Sequence, residues 1–436
     1  MSTSTKSQEA ILAKLGIEEL NPMQVESQTA ITANKEVILL SPTGTGKTLA
    51  FLLPLINELD ENLQEIQALI IVPSRELAIQ IEQVMREMGS GFKVNAVYGG
   101  RTGSKDRLEI KHRPAVLIGT PGRVADHLRR GAFDTRNIKT LVLDEFDKSL
   151  EVGFEAEMKE IIQKLPRVKK KVLTSATQGV EIPDFVGLND SLTIDFLKGK
   201  SNNLEIKKVV SPSKDKLETL VELLAHLNGQ NGIVFCNFKD SIQRVSDFLA
   251  SKNISHGTFY GGMEQVDRER GLIKFRNGTH NILLATDLAA RGIDVPELDF
   301  IIHYHLPLKS EEFTHRNGRT ARMNSNGTAY VIQGKGEDLP DFIGDVPEEV
   351  LEQLPLPKPS EWSTLFISGG RKDKISKGDI AGLFFKQGGL TKDQLGVIEL
   401  KTDCAFVSVK SNSLKGLLPQ VNNMRLKKKK VRVSVV

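Results

Sequence analysis

Short unbroken apolar runs recur along the first part of the chain: Val37-Ile38-Leu39-Leu40, Ala68-Leu69-Ile70-Ile71-Val72, Ala115-Val116-Leu117-Ile118-Gly119, Thr140-Leu141-Val142-Leu143 and Lys171-Val172-Leu173-Thr174-Ser175. Each has strand length and no polar face, the pattern of parallel strands covered on both sides. Segments of helical period lie between them, residues 76–88 for example. The alternation predicts a doubly wound parallel sheet. The pattern then restarts with Gly232-Ile233-Val234-Phe235-Cys236, His256-Gly257-Thr258-Phe259-Tyr260, Asn281-Ile282-Leu283-Leu284-Ala285 and Phe300-Ile301-Ile302-His303-Tyr304. Two α/β domains are predicted, joined near residues 199–203.

Past the prolines Pro355, Pro357 and Pro359 the pattern changes. Residues 363–368, 396–400, 404–409 and 430–435 read as strands, and 377–387 and 413–421 as helices. That βαββαβ order is the order of a small RNA-recognition fold. The predicted organisation is a disordered 1–8, a first domain over 9–198, a second over 204–338, a connection over 339–361 and a third domain over 362–436.

Charge sharpens this division. The chain of 436 residues has a formal net charge of +4. Residues 362–436 hold 15 Lys/Arg against 5 Asp/Glu, a net of +10, and the remainder holds 44 against 50, a net of −6. A strongly basic segment on a slightly acidic body points to an appended module for a polyanion. No apolar run approaches the ~18–20 residues that span a bilayer, so no membrane partner is expected. The N-terminal residues lack the apolar core of a signal peptide. Two distant cysteines, Cys236 and Cys404, form neither a disulfide framework nor a zinc pattern, which predicts a reduced, cytoplasmic protein.

Two stretches carry chemistry on their own. Ser41-Pro42-Thr43-Gly44-Thr45-Gly46-Lys47-Thr48 sits between a strand and a helix, as a phosphate-binding loop does. Glycines let backbone N–H groups approach phosphate oxygens, and the helix N-terminus adds a positive dipole end. Lys47 would reach the β/γ-phosphates of ATP, and the Thr48 hydroxyl would ligate Mg²⁺. Asp144-Glu145-Phe146-Asp147 follows a predicted strand. There Asp144 would hold the Mg²⁺ and Glu145 would orient or deprotonate the attacking water.

With these motifs in order, the chain resembles the DEAD-box RNA helicases over about residues 9–335. Residues 16–24 resemble the family's Q motif, in which Gln24 would read adenine. The resemblance implies that Gly292 and Asp294 join residues 41–48 in binding ATP. It implies that Ser175, Thr177 and His315 couple hydrolysis to RNA. Arg75, Gly99, Gly100, Thr120, Arg123, Gln265, Arg268, Thr286 and Asp287 would face RNA, chiefly its phosphates and 2′-hydroxyls, so the core would not read sequence. Asp287 and Glu76 could instead brace loops by ion pairing. Arg319 and Arg322, three apart in the last motif, would stabilise transition-state charge on the γ-phosphate as arginine fingers do.

Departures from the family pattern are Phe146 in place of Ala, Leu20-Asn21 in place of Pro-Thr, Ala321 in place of Gly, and no aromatic residue before Phe51. The tail, from Gly369-Gly370-Arg371-Lys372-Asp373-Lys374 onward, resembles the C-terminal domain of the DbpA-type subfamily. Phe366 and Phe406 are its aromatics on central strands, placed either for base stacking or for the core. The implied function is ATP-dependent remodelling of structured RNA, with 23S ribosomal RNA and pre-ribosomal particles as partners and a monomeric state. The alternatives are an ATP-gated RNA clamp with little unwinding and a DNA-directed helicase.

Overall fold

The computed structural model describes residues 7–100, 103–151, 153–177, 181–197, 204–287, 295, 298–320 and 326–436. The chain divides into two compact units, one ending near residue 202 and the other running from residue 203 towards the C-terminus.

The first unit is built on seven strands: β1 (Glu36–Leu40), β2 (Ala68–Ile71), β3 (Val94–Val97), β4 (Val116–Gly119), β5 (Thr140–Leu143), β6 (Lys170–Ser175) and β7 (Leu192–Asp195). They lie in the order β3-β4-β2-β5-β6-β1-β7, and every pairing is parallel. The apolar runs have the expected reason. Ile70 and Val72 enter the core on one face with Phe51 and Ile81, and Leu69 and Ile71 enter the core on the other with Leu141 and Met158. Successive side chains point to opposite faces, so a strand covered twice has no place for a polar residue. Phe146 belongs to the second of these cores and is 2% exposed. Its replacement of a small residue is therefore absorbed by packing.

The second unit holds β8 (Leu204–Val210), β9 (Gly232–Phe235), β10 (Gly257–Phe259), β11 (Ile282–Ala285), β12 (Phe300–His303) and β13 (Gly327–Gln333). Their order is β10-β11-β9-β12-β13-β8, again all parallel. Residues 339–361 are not a loose connection. The Lys208 N–H donates to the Pro347 carbonyl at 2.9 Å and the Glu349 N–H to the Lys208 carbonyl at 2.8 Å. Ile343 and Val346 complete a small core with Phe313 and Val331.

The same unit ends in a four-stranded antiparallel sheet, ordered β15 (Leu395–Leu400), β16 (Ala405–Lys410), β14 (Trp362–Ile367), β19 (Val433–Val435). The helices Lys377–Lys386 and Leu414–Val421 contribute Ile380, Leu383, Phe384, Leu417 and Val421 to its core. The last strand starts later than residue 430. Lys429–Lys430 (β18) pairs back on Arg425–Leu426 (β17), with Lys427 at φ 53 in the turn.

Candidate active site

Three adjacent strands bring the chemical groups of the first domain together. β5, β6 and β1 are neighbours, and Leu40 pairs with Ser175. The loop after β1, the Asp-Glu pair after β5 and Ser175 at the end of β6 therefore share one sheet edge, the C-terminal edge where open α/β sheets bind ligands.

The loop is held by its own polar groups. Ser41 is fully buried, and its Oγ lies 2.7 Å from the Thr45 Oγ1. That bond gives a role to the serine that stands where the general phosphate-loop pattern has glycine. The Lys47 Nζ donates to the Ser41 and Pro42 carbonyls at 2.6 and 2.9 Å. The Asn21 Nδ2 donates to the Thr45 carbonyl at 3.0 Å and the Gln24 Nε2 to the Gly46 carbonyl at 3.3 Å. Asn21 and Gln24 also form the capping box of the helix Pro22–Ala33, so the motif expected to read adenine is bolted to the phosphate loop. Gly46 has φ 87, and a Cβ there would stand 2.4 Å from the Gln24 Nε2. Only glycine takes both the dihedral and the space. The helix Lys47–Asn57 starts directly after it.

The carboxylate pair is positioned by one hydroxyl. The Thr174 Oγ1 donates to the Asp144 Oδ1 at 2.5 Å and accepts from the Glu145 N–H at 3.1 Å. Glu145 has φ 47, a conformation that costs energy and marks a preset geometry. Burial first, and the Glu145 charge second, push the Asp144 carboxyl up to about 6. A buried carboxylate beside a second one, next to a phosphate-type loop ending in Lys-Thr, is a donor set that can hold a nucleoside triphosphate with a hard divalent cation. Downstream, the Thr177 Oγ1 donates to the Asp147 Oδ2 at 2.9 Å, and the Ser175 Oγ accepts from the Thr177 N–H at 3.0 Å. The segment expected to couple hydrolysis to RNA is tied to the last residue of the acidic tetrapeptide.

The residues expected to face RNA in this domain are also braced. The Arg75 guanidinium lies on Gly99 and Gly100, and at Gly100, φ 86, a Cβ would come within 2.6 Å of its Nη1. Arg123 pairs with the fully buried Asp106 at 2.7 Å. Thr120 caps the helix Pro121–Arg129 through its carbonyl, which accepts from the Arg123 and Val124 N–H groups.

In the second domain Arg316 is the knot. It is 1% exposed and donates from Nε and Nη2 to both Asp287 oxygens at 2.7 and 2.6 Å. It also donates to the Asn237 Oδ1 and to the His305 carbonyl, each at 2.8 Å, and its guanidinium lies 5.2 Å from the Phe235 ring centre. Its partners follow β11, β9 and β12, three neighbouring strands. Asp287 acts here as a brace. Burial, then the Arg316 charge, push the nearby His303 down to about 3, so it is neutral. Gln265 and Arg268 open the helix Gln265–Arg276, with Arg268 4.8 Å from the Phe259 ring centre. Arg319 is 5% exposed, and His315 lies on the helix Ser310–Asn317. Gly292, Asp294 and Arg322 lie outside the described residues. Thr174, Asn21, Asp106 and Arg316 were not singled out from the sequence. No motif points to Thr174 or Asp106, because their partners are distant in sequence, and Asn21 stands in the Q motif only as a departure from the family pattern.

A phosphate loop and a carboxylate pair on one edge of a RecA-like sheet, with a second such sheet downstream, define a nucleoside-triphosphate hydrolase of the helicase class. Residues 21–185 match the DEAD/DEAH box helicase family, 215–324 the helicase conserved C-terminal domain and 364–435 the DbpA RNA binding domain. The chain belongs to the DEAD-box ATP-dependent RNA helicases, which are RNA-stimulated ATPases, and ends in a DbpA-type RNA-binding domain. It is 32% identical to the ATP-dependent RNA helicase DbpA of Escherichia coli, over 98% of this chain and 96% of that one. It is 29% identical to DbpA of Bacillus subtilis, over 97% and 96%. The fold is similar to that of S. cerevisiae Dbp5 bound to RNA and ADP BeF3, with a TM-score of 0.67 and 25% identity, covering 75% of this chain and 88% of that one. No described helix is long and apolar enough to cross a membrane.

Proposed function

We propose that this helicase remodels structured regions of 23S ribosomal RNA in pre-ribosomal particles, in the cytoplasm and as a monomer. ATP would be held by the loop 41–48 with Gln24, and Mg²⁺ by Thr48 and Asp144. The cation would supply charge neutralisation at the phosphates. Glu145 takes the proton of the attacking water, Thr174 holds Glu145 and Asp144 in register, and Lys47 offsets phosphate charge. Arg319 supplies a guanidinium for transition-state charge, together with Arg322 three residues on. Ser175 and Thr177 relay the state of Asp147. The clamp alternative draws on Phe146, which packs in the core, and on the altered Q motif; an unwinding assay on a tailed hairpin duplex separates it from a strand-separating enzyme.

The observation that carries the ribosomal reading is the C-terminal segment. It matches the DbpA RNA binding domain and has the basic surplus of +10. A merely electrostatic tail binds any RNA and loses affinity steeply in salt, whereas fitted contacts keep a preference. The test compares the full chain with a variant lacking residues 362–436, using 23S rRNA fragments and scrambled controls over a salt series. The full chain should keep a preference of about tenfold or more for one fragment at raised salt, and the truncated chain should show none. Equal affinity of the full chain for fragments and controls overturns the ribosomal assignment.

A further inference from the structure

One side chain expected at RNA in the first core domain is gripped from behind by a buried charge. The helix Gly103–Lys111 follows β3 and the helix Pro121–Arg129 follows β4, two neighbouring strands. Asp106 stands in the first turn of the former and is 0% exposed. Arg123 and His127 lie one turn apart on the latter, hence on one face. Both reach the same carboxylate oxygen. The Arg123 Nε donates to the Asp106 Oδ2 at 2.7 Å, and the His127 Nε2 lies 3.3 Å from it. His127 is buried as completely as Asp106. Only Arg123 comes to the surface, with 17% of its side chain exposed. There its Nη1 lies 3.8 Å from the Asp126 Oδ2, while the Arg130 Nε donates to the Asp126 Oδ1 at 2.7 Å.

A carboxylate withdrawn from water carries a desolvation cost that pairing returns only in part, and an apolar contact of like volume ties two helices at least as well. Stability is therefore a weak reason for Asp106, and orientation is a stronger one. A guanidinium is a planar fork with five N–H donors. It can hold a carboxylate on one edge and a phosphate on the other in one fixed plane, which an ammonium cannot do. Asp106 is itself fixed, since it sits in the first helical turn, where negative charge is favoured. The long Arg123 side chain then gives up little freedom when an anion arrives.

We propose that Asp106 is the positioning residue for Arg123: it holds the guanidinium through Nε in the plane that meets an RNA phosphate. This holds only if Arg123 faces RNA, as the family resemblance implies. It needs no particular RNA, because a phosphate contact carries no sequence information.

The test uses the full chain, a single-stranded oligo(U), a non-hydrolysable ATP analogue and a salt series. Coulomb attraction alone makes Asp106→Asn, with one negative charge fewer, bind RNA more tightly. Positioning predicts the reverse, a loss of about fivefold, although Arg123 keeps its charge. The slope of log affinity against log salt should also fall by about 0.7, the share of one phosphate on a single strand. Arg123→Met should lose about tenfold with the same fall in slope. The double variant should bind within about twofold of Arg123→Met, because the two residues act through one contact. Arg123→Lys should lose nearly as much as Arg123→Met, and this arm stands whether or not the Asp106 variant folds. Tighter or unchanged binding by Asp106→Asn, losses that multiply in the double variant, or parental binding by Arg123→Lys each overturn the proposal. Parental affinity and slope in Arg123→Met would go further and remove Arg123 itself from the RNA interface.

Discussion

The two core domains place carboxylates at the same kind of position and use them in opposite ways. In the first, Asp144 follows a central parallel strand and faces Glu145, and its carboxyl is pushed up to about 6 by burial and that charge. In the second, Asp287 follows a central parallel strand and has both oxygens on Arg316. One sheet edge concentrates like charge that a bound cation can relieve. The other is already neutralised and works as a clasp across three strand ends. The fold does not decide which edge is reactive. The neighbouring charges decide it.

The contrast can be tested most strongly on two arginines three residues apart. Arg319→Ala should lower RNA-stimulated ATP turnover on the order of 10³-fold in a variant that still unfolds cooperatively. An intact rate would end the assignment of Arg319 to phosphoryl charge. Arg316→Met should do the reverse. It leaves Asp287 without its cation and should lower stability by about 3 kcal/mol, read by chemical unfolding of the chain. A variant as stable as the parent would mean that the clasp is dispensable.

On the reactive edge the expected effects are smaller and purely kinetic. Glu145→Gln keeps shape and hydrogen bonding but removes the base. Turnover should fall by at least ~10²-fold while ATP and RNA binding stay near normal; unchanged turnover would remove Glu145 from the mechanism. Thr174→Val takes away the hydroxyl shared by Asp144 and Glu145, and turnover should fall by at least roughly fivefold, since one hydrogen bond is worth about 1 kcal/mol. A variant as fast as the parent would show that the Glu145 conformation is held by the backbone alone.

Most of the architecture could be read from the chain because strands covered on both faces leave unbroken apolar runs. The strands that escaped are those without this double cover or without a clean run. β7 has Leu192 and Thr193 exposed. β8 lies at a sheet edge, where Lys207 pairs with Glu349. β3 carries the half-buried Asn95. β13 is well buried, but its Gly327-Thr328 start and Gln333 end disguise it. The phosphate loop and the Asp-Glu pair were legible because their chemistry needs particular residues at fixed local spacing. Thr174 and Arg316 were not, because their roles arise only when neighbouring strands align. The bond from Arg276 to Glu399 was hidden for the same reason, since the two are 123 residues apart.

The helix Gln265–Arg276 opens with Gln265 and Arg268, which the family resemblance leads one to expect at RNA, and closes with Arg276 bonded to Glu399. Its 12 residues span ~18 Å at 1.5 Å per residue. The helix is therefore a ruler. It fixes the distance between the end expected to face RNA and the end bonded to Glu399. The tail holds it at Glu269 through Lys401 as well as at Arg276 through Glu399, so an added helical turn, ~5.4 Å, would break one of the two grips.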